Sequence, residues 1–170
     1  MNLNFKELLP DDFSDESRVW IYQSNRIFTL SEALEIEKKL ELFINEWKSH
    51  QVPVKGFATL FFGQFILLMA DETKTGVSGC STDGSVRLIK QIEQEYRTSM
   101  FDRTSLAFVI KDRIQLLPLS QLPYAFQHGF LKPETLFFDN NVQNKADLIS
   151  KWIIPVNESW LWKRYSSLLN

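Results

Sequence analysis

The stretch GVSGCSTDGSVR, Gly76 to Arg87, holds three of the six glycines and the only cysteine. It stands between a long apolar run and an amphipathic helix pattern. A loop of small polar residues that opens a helix presents free backbone N–H groups at the positive end of the helix dipole, so it suits an anion. Gly79, Ser81, Thr82, Gly84 and Ser85 are the expected donors, with Arg87 in the first turn. A carboxylate or phosphate fits that chemistry. The plainer reading is a helix start, in which Ser81, Thr82 or Asp83 caps the helix and the glycines relax the turn.

A lone cysteine such as Cys80 reads first as a small buried hydrophobe; the sharper reading is a nucleophile, because a thiol near a helix N-terminus and an arginine ionises readily. In the cysteine-phosphatase loop five residues separate cysteine from arginine; here Ser81 to Val86, six residues, stand between Cys80 and Arg87. Ser81 has the five-residue spacing but is a poor equivalent of a thiol. Gly79 and Gly84 have the glycine spacing of a Walker A loop, yet Ser85 and Val86 replace its lysine and hydroxyl residue. No G-x-G-x-x-G run follows a strand.

The remaining polar candidates are sparse. His50 and His128 each stand without a second ligand at helical spacing, so no metal site or cofactor is expected. Asp71 and Glu72 read as a solvated acidic turn at a strand end, with acid–base work as the alternative. Near the C-terminus, ESWLWKRY interleaves Trp160, Trp162 and Arg164 with Lys163 and Tyr165. Such a segment can stack bases and neutralise phosphates, but the acidic overall charge favours docking on its own core; a partner surface comes next, since Trp and Arg are frequent hot-spot residues.

These residues need elements to position them. Arg18–Arg26, RVWIYQSNR, is β-branched and aromatic and reads as a strand. Thr29 and Glu32 form a capping-box pattern, and Ala33, Ile36, Leu40, Phe43, Ile44 and Trp47 keep helical spacing. That predicts a helix from about Leu30 to Ser49, with His50 at its end. Lys55–Phe62 and Phe65–Ala70 read as a hairpin around Gly63-Gln64 with a type II′ turn, or as one long bent strand. Val86, Ile89, Ile92 and Tyr96 predict a second helix from about Gly84 to Thr98. A further hairpin follows, with its turn near Asp112-Arg113. From Pro118 the chain reads as short helices and strands.

Composition narrows the classes. Hydrophobic residues make up 44% and aromatics 14%, enough for a sizeable core. A net charge of −2 does not suit a generic nucleic-acid binder. One cysteine excludes an internal disulfide framework. The N-terminal residues lack a basic region followed by an apolar stretch, and the apolar run at Phe57–Ala70 is broken by Gly63-Gln64. The expectation is a cytoplasmic protein that neither enters membranes nor binds nucleic acid.

SRVWIYQS, PVKGFATLFFGQF, ADETKTGVSGCSTDGSVR, MFDRTSLAFV, IQLLPLSQL and WIIPVNESWLWKR cover most of the chain. In these stretches it resembles a family of uncharacterised bacterial proteins of about this length, often labelled "ABC transporter ATPase". That label implies a Walker A loop, a signature motif and a Walker B strand, and none of them stands in this sequence. The resemblance brings no established activity, substrate or catalytic residue.

The expected fold is α+β: an antiparallel sheet with two main helices on one face, ferredoxin-like (βαββαβ) in its core. The chain is expected to be a single domain, residues 1–17 an N-terminal arm, 18–117 the core and 118–170 a mixed extension. The expected function is a non-catalytic binding or interaction module, with Gly76–Arg87 holding a small anionic ligand or a protein partner. Two alternatives remain: a small enzyme using Cys80 or Asp83, and an assembly protein that self-associates through its aromatic surface.

Overall fold

The computed structural model describes residues 1–73 and 76–168; the side chains of Cys80 and Ser81 also lie outside the described part. The chain is α+β and divides into two compact units. One comprises Leu3–Phe101 with Val142–Ile149, the other Asp102–Asn141 with Ser150–Asn170 and Met1–Asn2. The change of unit therefore falls at 101–102 and not at Pro118.

In the first unit, β1 (Arg18–Gln23) leads to α1 (Leu30–Glu46), and a small hairpin of β2 (Lys48–Ser49) and β3 (Val52–Pro53) follows. Then come β4 (Lys55–Phe61), β5 (Phe65–Asp71) and α2 (Gly79–Tyr96). The sheet order is β1-β5-β4, all antiparallel, with Ile21 opposite Leu67 and Thr59 opposite Leu67 on the other side. β5 is apolar at every position but its last because it is the central strand, buried on both faces. Ile36 and Leu40 of α1 and Ile89 and Ile92 of α2 close one face over Tyr22, Ile66 and Leu68. Thus two helices lie on one face, as expected.

The four-stranded βαββαβ sheet is not formed. Its first five elements are present, with β5 between β1 and β4. The strand after α2, β6 (Ser105–Ile110), pairs instead in a second sheet. Beside β1 stands Gln143, whose carbonyl accepts the Val19 N–H at 2.8 Å. The first residues are not a free arm either. Phe5, Leu9 and Phe13 are buried, and Phe5 packs edge-on against Phe61. Lys6–Leu8 form a 3-10 turn.

Two element ends differ from the sequence reading. α1 stops at Glu46, because Trp47 leaves the helix and packs against Trp20 and Phe43. His50 consequently sits with Gln51 in the β2–β3 turn, both at positive φ. The β4–β5 turn centres on Phe62-Gly63, at φ +56° and +63°, so it is of the I′ kind. The Phe28 N–H donates to the Gly63 carbonyl at 2.8 Å and holds that turn.

The second unit has β7 (Arg113–Pro118), α3 (Leu122–Gln127), β8 (Leu136–Phe138), β9 (Ile153–Pro155) and α5 (Trp160–Tyr165). Its sheet order is β7-β6-β8-β9. The β6–β7 turn is Lys111-Asp112, both at positive φ, one residue before the predicted place. Phe108, Leu122, Phe126, Phe137 and Leu161 form its core. α4 (Lys145–Lys151) lies for the most part in the first unit, which takes in Val142–Ile149; it is begun by Asn144, whose carboxamide oxygen accepts the Asp147 N–H at 2.8 Å. Among the described residues no helix is long and apolar enough to cross a membrane.

Candidate functional site

The Gly76–Arg87 stretch is mostly helix. α2 begins at Gly79, five residues ahead of the predicted start, and the Thr82 N–H donates to the Ser78 carbonyl at 3.1 Å. None of Ser81, Thr82 and Asp83 therefore stands at the cap position. The Thr82 hydroxyl donates to the Ser78 carbonyl at 3.2 Å, and the buried Ser85 hydroxyl donates to the Thr82 carbonyl at 2.7 Å. Those bonds satisfy the two hydroxyls at helical positions. Gly84 and Ser85 stand where N–H groups close the i→i−4 ladder, so they are not spare donors.

The donors just before the helix also have partners within the chain. The Glu72 carboxylate accepts the Val77 N–H at 2.7 Å, and the Ser49 hydroxyl oxygen accepts the Ser78 N–H at 3.2 Å. Asp71, read as part of a solvated turn, is buried instead. It accepts from the Thr73 hydroxyl and N–H and from the Lys55 amine at 3.1 Å. The Thr73 hydroxyl, foremost among these, holds the Asp71 carboxyl down to about 2.

α2 does form a groove against α1, from Gly84 onward. An open cavity of about 1020 Å³ runs between the two helices. Leu42, Phe43 and Trp47 from α1 and its end, with Leu88 of α2, supply its apolar surface. Its polar rim includes Lys39, Glu46 and Lys48 on one side and Arg87, Gln91 and Glu95 on the other. Lys39 and Glu95 bridge the rim at 3.0 Å. Arg87 is exposed, and its side chain has no hydrogen bond or ion pair among the described residues. Gly84 lines the groove too, and its missing side chain leaves Phe43 uncovered there; an added Cβ would lie 3.9 Å from the Phe43 ring.

Gly56 holds this wall in place from below. An added Cβ there would stand 2.7 Å from the Trp47 ring and 3.0 Å from Ile44. The close approach of β4 to Trp47 depends on that absence. Sequence reasoning took Phe43 and Trp47 only as core. Their second role needed α2 alongside, and no local pattern announces it.

The sequence candidates do not converge. Arg87 and Gly84 line the groove; Asp83 is exposed and is not among the lining residues. The Cys80 and Ser81 side chains lie outside the described ones. Gly79 is exposed at the first helical position. Trp160 and Trp162 are half-buried against the core of the second unit, Trp160 edge-on to Phe137 at 6.3 Å. Arg164 is exposed and lies over the Tyr165 ring. His128 stacks on Tyr124 at 4.0 Å, in the second unit. Among the described residues no group of three His, Cys, Asp or Glu side chains is set to hold a metal. Comparison with family models, curated proteins and solved structures finds no match to this chain.

Proposed function

We propose that the unit carrying α1 and α2 is a non-catalytic binding module whose groove takes an amphipathic acid. The apolar body of the ligand lies on Phe43, Trp47 and Leu88, and its carboxylate or phosphate meets Arg87. One observation carries the reading: an apolar floor lies beside a guanidinium that has no ionic partner among the described residues. A guanidinium presents five donors in a rigid fork suited to such oxyanions. Next to aromatic surface the attraction is screened less than in open water.

The anion site thus moves from the backbone of Gly76–Ser85 to the Arg87 side chain. A cytoplasmic, reducing setting goes with the reading, because a lone cysteine cannot form an internal disulfide.

The test uses 8-anilinonaphthalene-1-sulfonate, which joins an aromatic body to an anion. Its fluorescence should saturate on the full chain, and Arg87→Glu should weaken binding about tenfold or more, the worth of one charge-assisted hydrogen bond. Arg113→Glu, in the other unit, should leave it unchanged. Absence of saturable binding, or equal affinity in Arg87→Glu, overturns the reading.

A further inference from the structure

Helix α2 carries a glycine in its interior that neither its backbone nor its packing requires. Gly84 stands past the first turn of the helix. Only Gly63 and Gly129 among the described glycines have positive φ, so any residue could adopt the conformation of Gly84. Outside its own stretch of helix, an added Cβ would meet only the Phe43 ring within 4 Å, at 3.9 Å, which is an ordinary contact. Gly56 differs, since a Cβ there would strike the Trp47 ring at 2.7 Å. Glycine inside a helix is a poorer choice than alanine, because its backbone loses more freedom on folding. Gly84 therefore weakens α2, and no contact in the fold offsets that.

What the glycine does is set the shape of the groove floor. Gly84 lines the groove together with Arg87 and Leu88, one turn on, and Gln91, two turns on. Trp47 and Leu88 are buried, whereas Phe43 is half-buried, so Phe43 supplies much of the aromatic surface that a ligand can reach. With no side chain at 84, the backbone of α2 and the edge of the Phe43 ring meet as one level surface. A larger residue would stand up from it. Arg87 follows three residues later, about 4.5 Å along the helix axis.

We propose that Gly84 determines the specificity of the groove, and that the apolar body of its ligand is a flat aromatic ring laid across Gly84 and Phe43 with its acid group at Arg87. This rests on the groove reading and names its ligand class, an aromatic acid. A ring on the Phe43 ring gains a contact beyond the area it buries. The Arg87 guanidinium also stacks on aromatic faces. A flexible aliphatic acid has to give up chain freedom to lie on the same level floor, and a rigid ring does not.

Titration of the full chain with 8-anilinonaphthalene-1-sulfonate tests the assignment, together with displacement of that probe by naphthalene-2-sulfonate or decane-1-sulfonate. The two displacers carry the same anion and the same number of carbons, and the naphthalene compound should act at the lower concentration. Gly84→Ala should raise the Tm by about 2–4 °C. The same variant should bind the probe about fourfold more weakly, the worth of one methyl-sized contact. Gly84→Leu should weaken binding by about tenfold or more while keeping the circular dichroism of the parent; if it does not keep it, Gly84→Ala decides. Gly79→Ala, at the exposed start of the helix, should leave binding unchanged. A lower Tm in Gly84→Ala would reveal a structural need for the glycine and overturn the proposal. So would undiminished binding in the Gly84 variants, or stronger displacement by decane-1-sulfonate. If Arg87→Glu loses the probe and the Gly84 variants keep it, the groove reading stands and this proposal falls. A parent chain that binds no probe overturns both.

Discussion

Arg26 forks onto Glu32: its two terminal nitrogens each stand 2.8 Å from one oxygen of the carboxylate. The same guanidinium donates to the Tyr96 carbonyl at 2.6 Å, and Glu32 also accepts the Thr29 N–H at 2.7 Å. One ion pair thus joins the capped start of α1 to the last turn of α2, where a cation also meets the negative end of the helix dipole. It fixes the two walls of the groove at the end away from Arg87.

That pair sets a pH dependence. The Arg26 hydrogen bond, first, and the Thr29 N–H, second, hold the Glu32 carboxyl down to about 2. In the unfolded chain it titrates in the ordinary range near 4.5. A carboxyl depressed by folding contributes its full stability above that range and loses it as pH falls towards 2. The expected result is a lower Tm for Glu32→Gln than for the parent at pH 7, with the gap closing between about 4.5 and 2. Thermal melts across that interval check it; a gap that stays constant with pH contradicts the assignment.

Gly56→Ala should destabilise the first unit by about 1–3 kcal/mol, the usual cost of forcing a methyl into a filled site. The methyl would meet the Trp47 ring at 2.7 Å, so Trp47 or β4 has to shift. Urea unfolding measures the loss. Because Trp47 lines the groove, the same variant should also weaken the binding of the anilinonaphthalene probe.

Lys145 is buried, and its amine donates to the carbonyls of Pro10 and Phe13, each at 2.8 Å. Lys145→Met keeps the apolar stem but leaves both carbonyls without that donor. The expected cost is about 1–3 kcal/mol for each group left unsatisfied. Limited proteolysis should cut the first thirteen residues sooner in the variant than in the parent.

Gly63 lies at φ +63°, in the left-handed region. Gly63→Ala should cost on the order of 1 kcal/mol from the backbone alone. The added methyl would also press on Ile27, 3.4 Å away. Chemical denaturation gives the figure, and an unchanged midpoint would show that the turn relaxes freely.

Local chemistry determined much of the fold. Thr29 and Glu32 are three residues apart, so their capping box was legible and is formed. The apolar run of β5, the hairpin at Gly63 and the helical spacing of Ile89, Ile92 and Tyr96 were legible for the same reason. Each pattern lies within one element and its turn. The start of α2 was not, because Gly79 to Asp83 have weak helix propensity and resemble a loop. The packing of Leu88, Ile89 and Ile92 of the same helix into the core, with Ser85 buried beside them in sequence, outweighs that preference. The end of α1 was missed because Trp47 departs towards a space that exists only where Gly56, nine residues on, comes beside it.

The pairing of β6 was decided at longer range still. Its residues read as a strand in either sheet, and the choice of neighbour depends on β7, β8 and β9 being present to pair with it. Likewise Arg87 was singled out by sequence for the right charge and the wrong surroundings. Its neighbours Phe43 and Trp47 are about forty residues away in the chain. Only the packing of α2 on α1 brings an apolar floor beside that guanidinium, because residue spacing specifies which face an element buries and not which other element it meets.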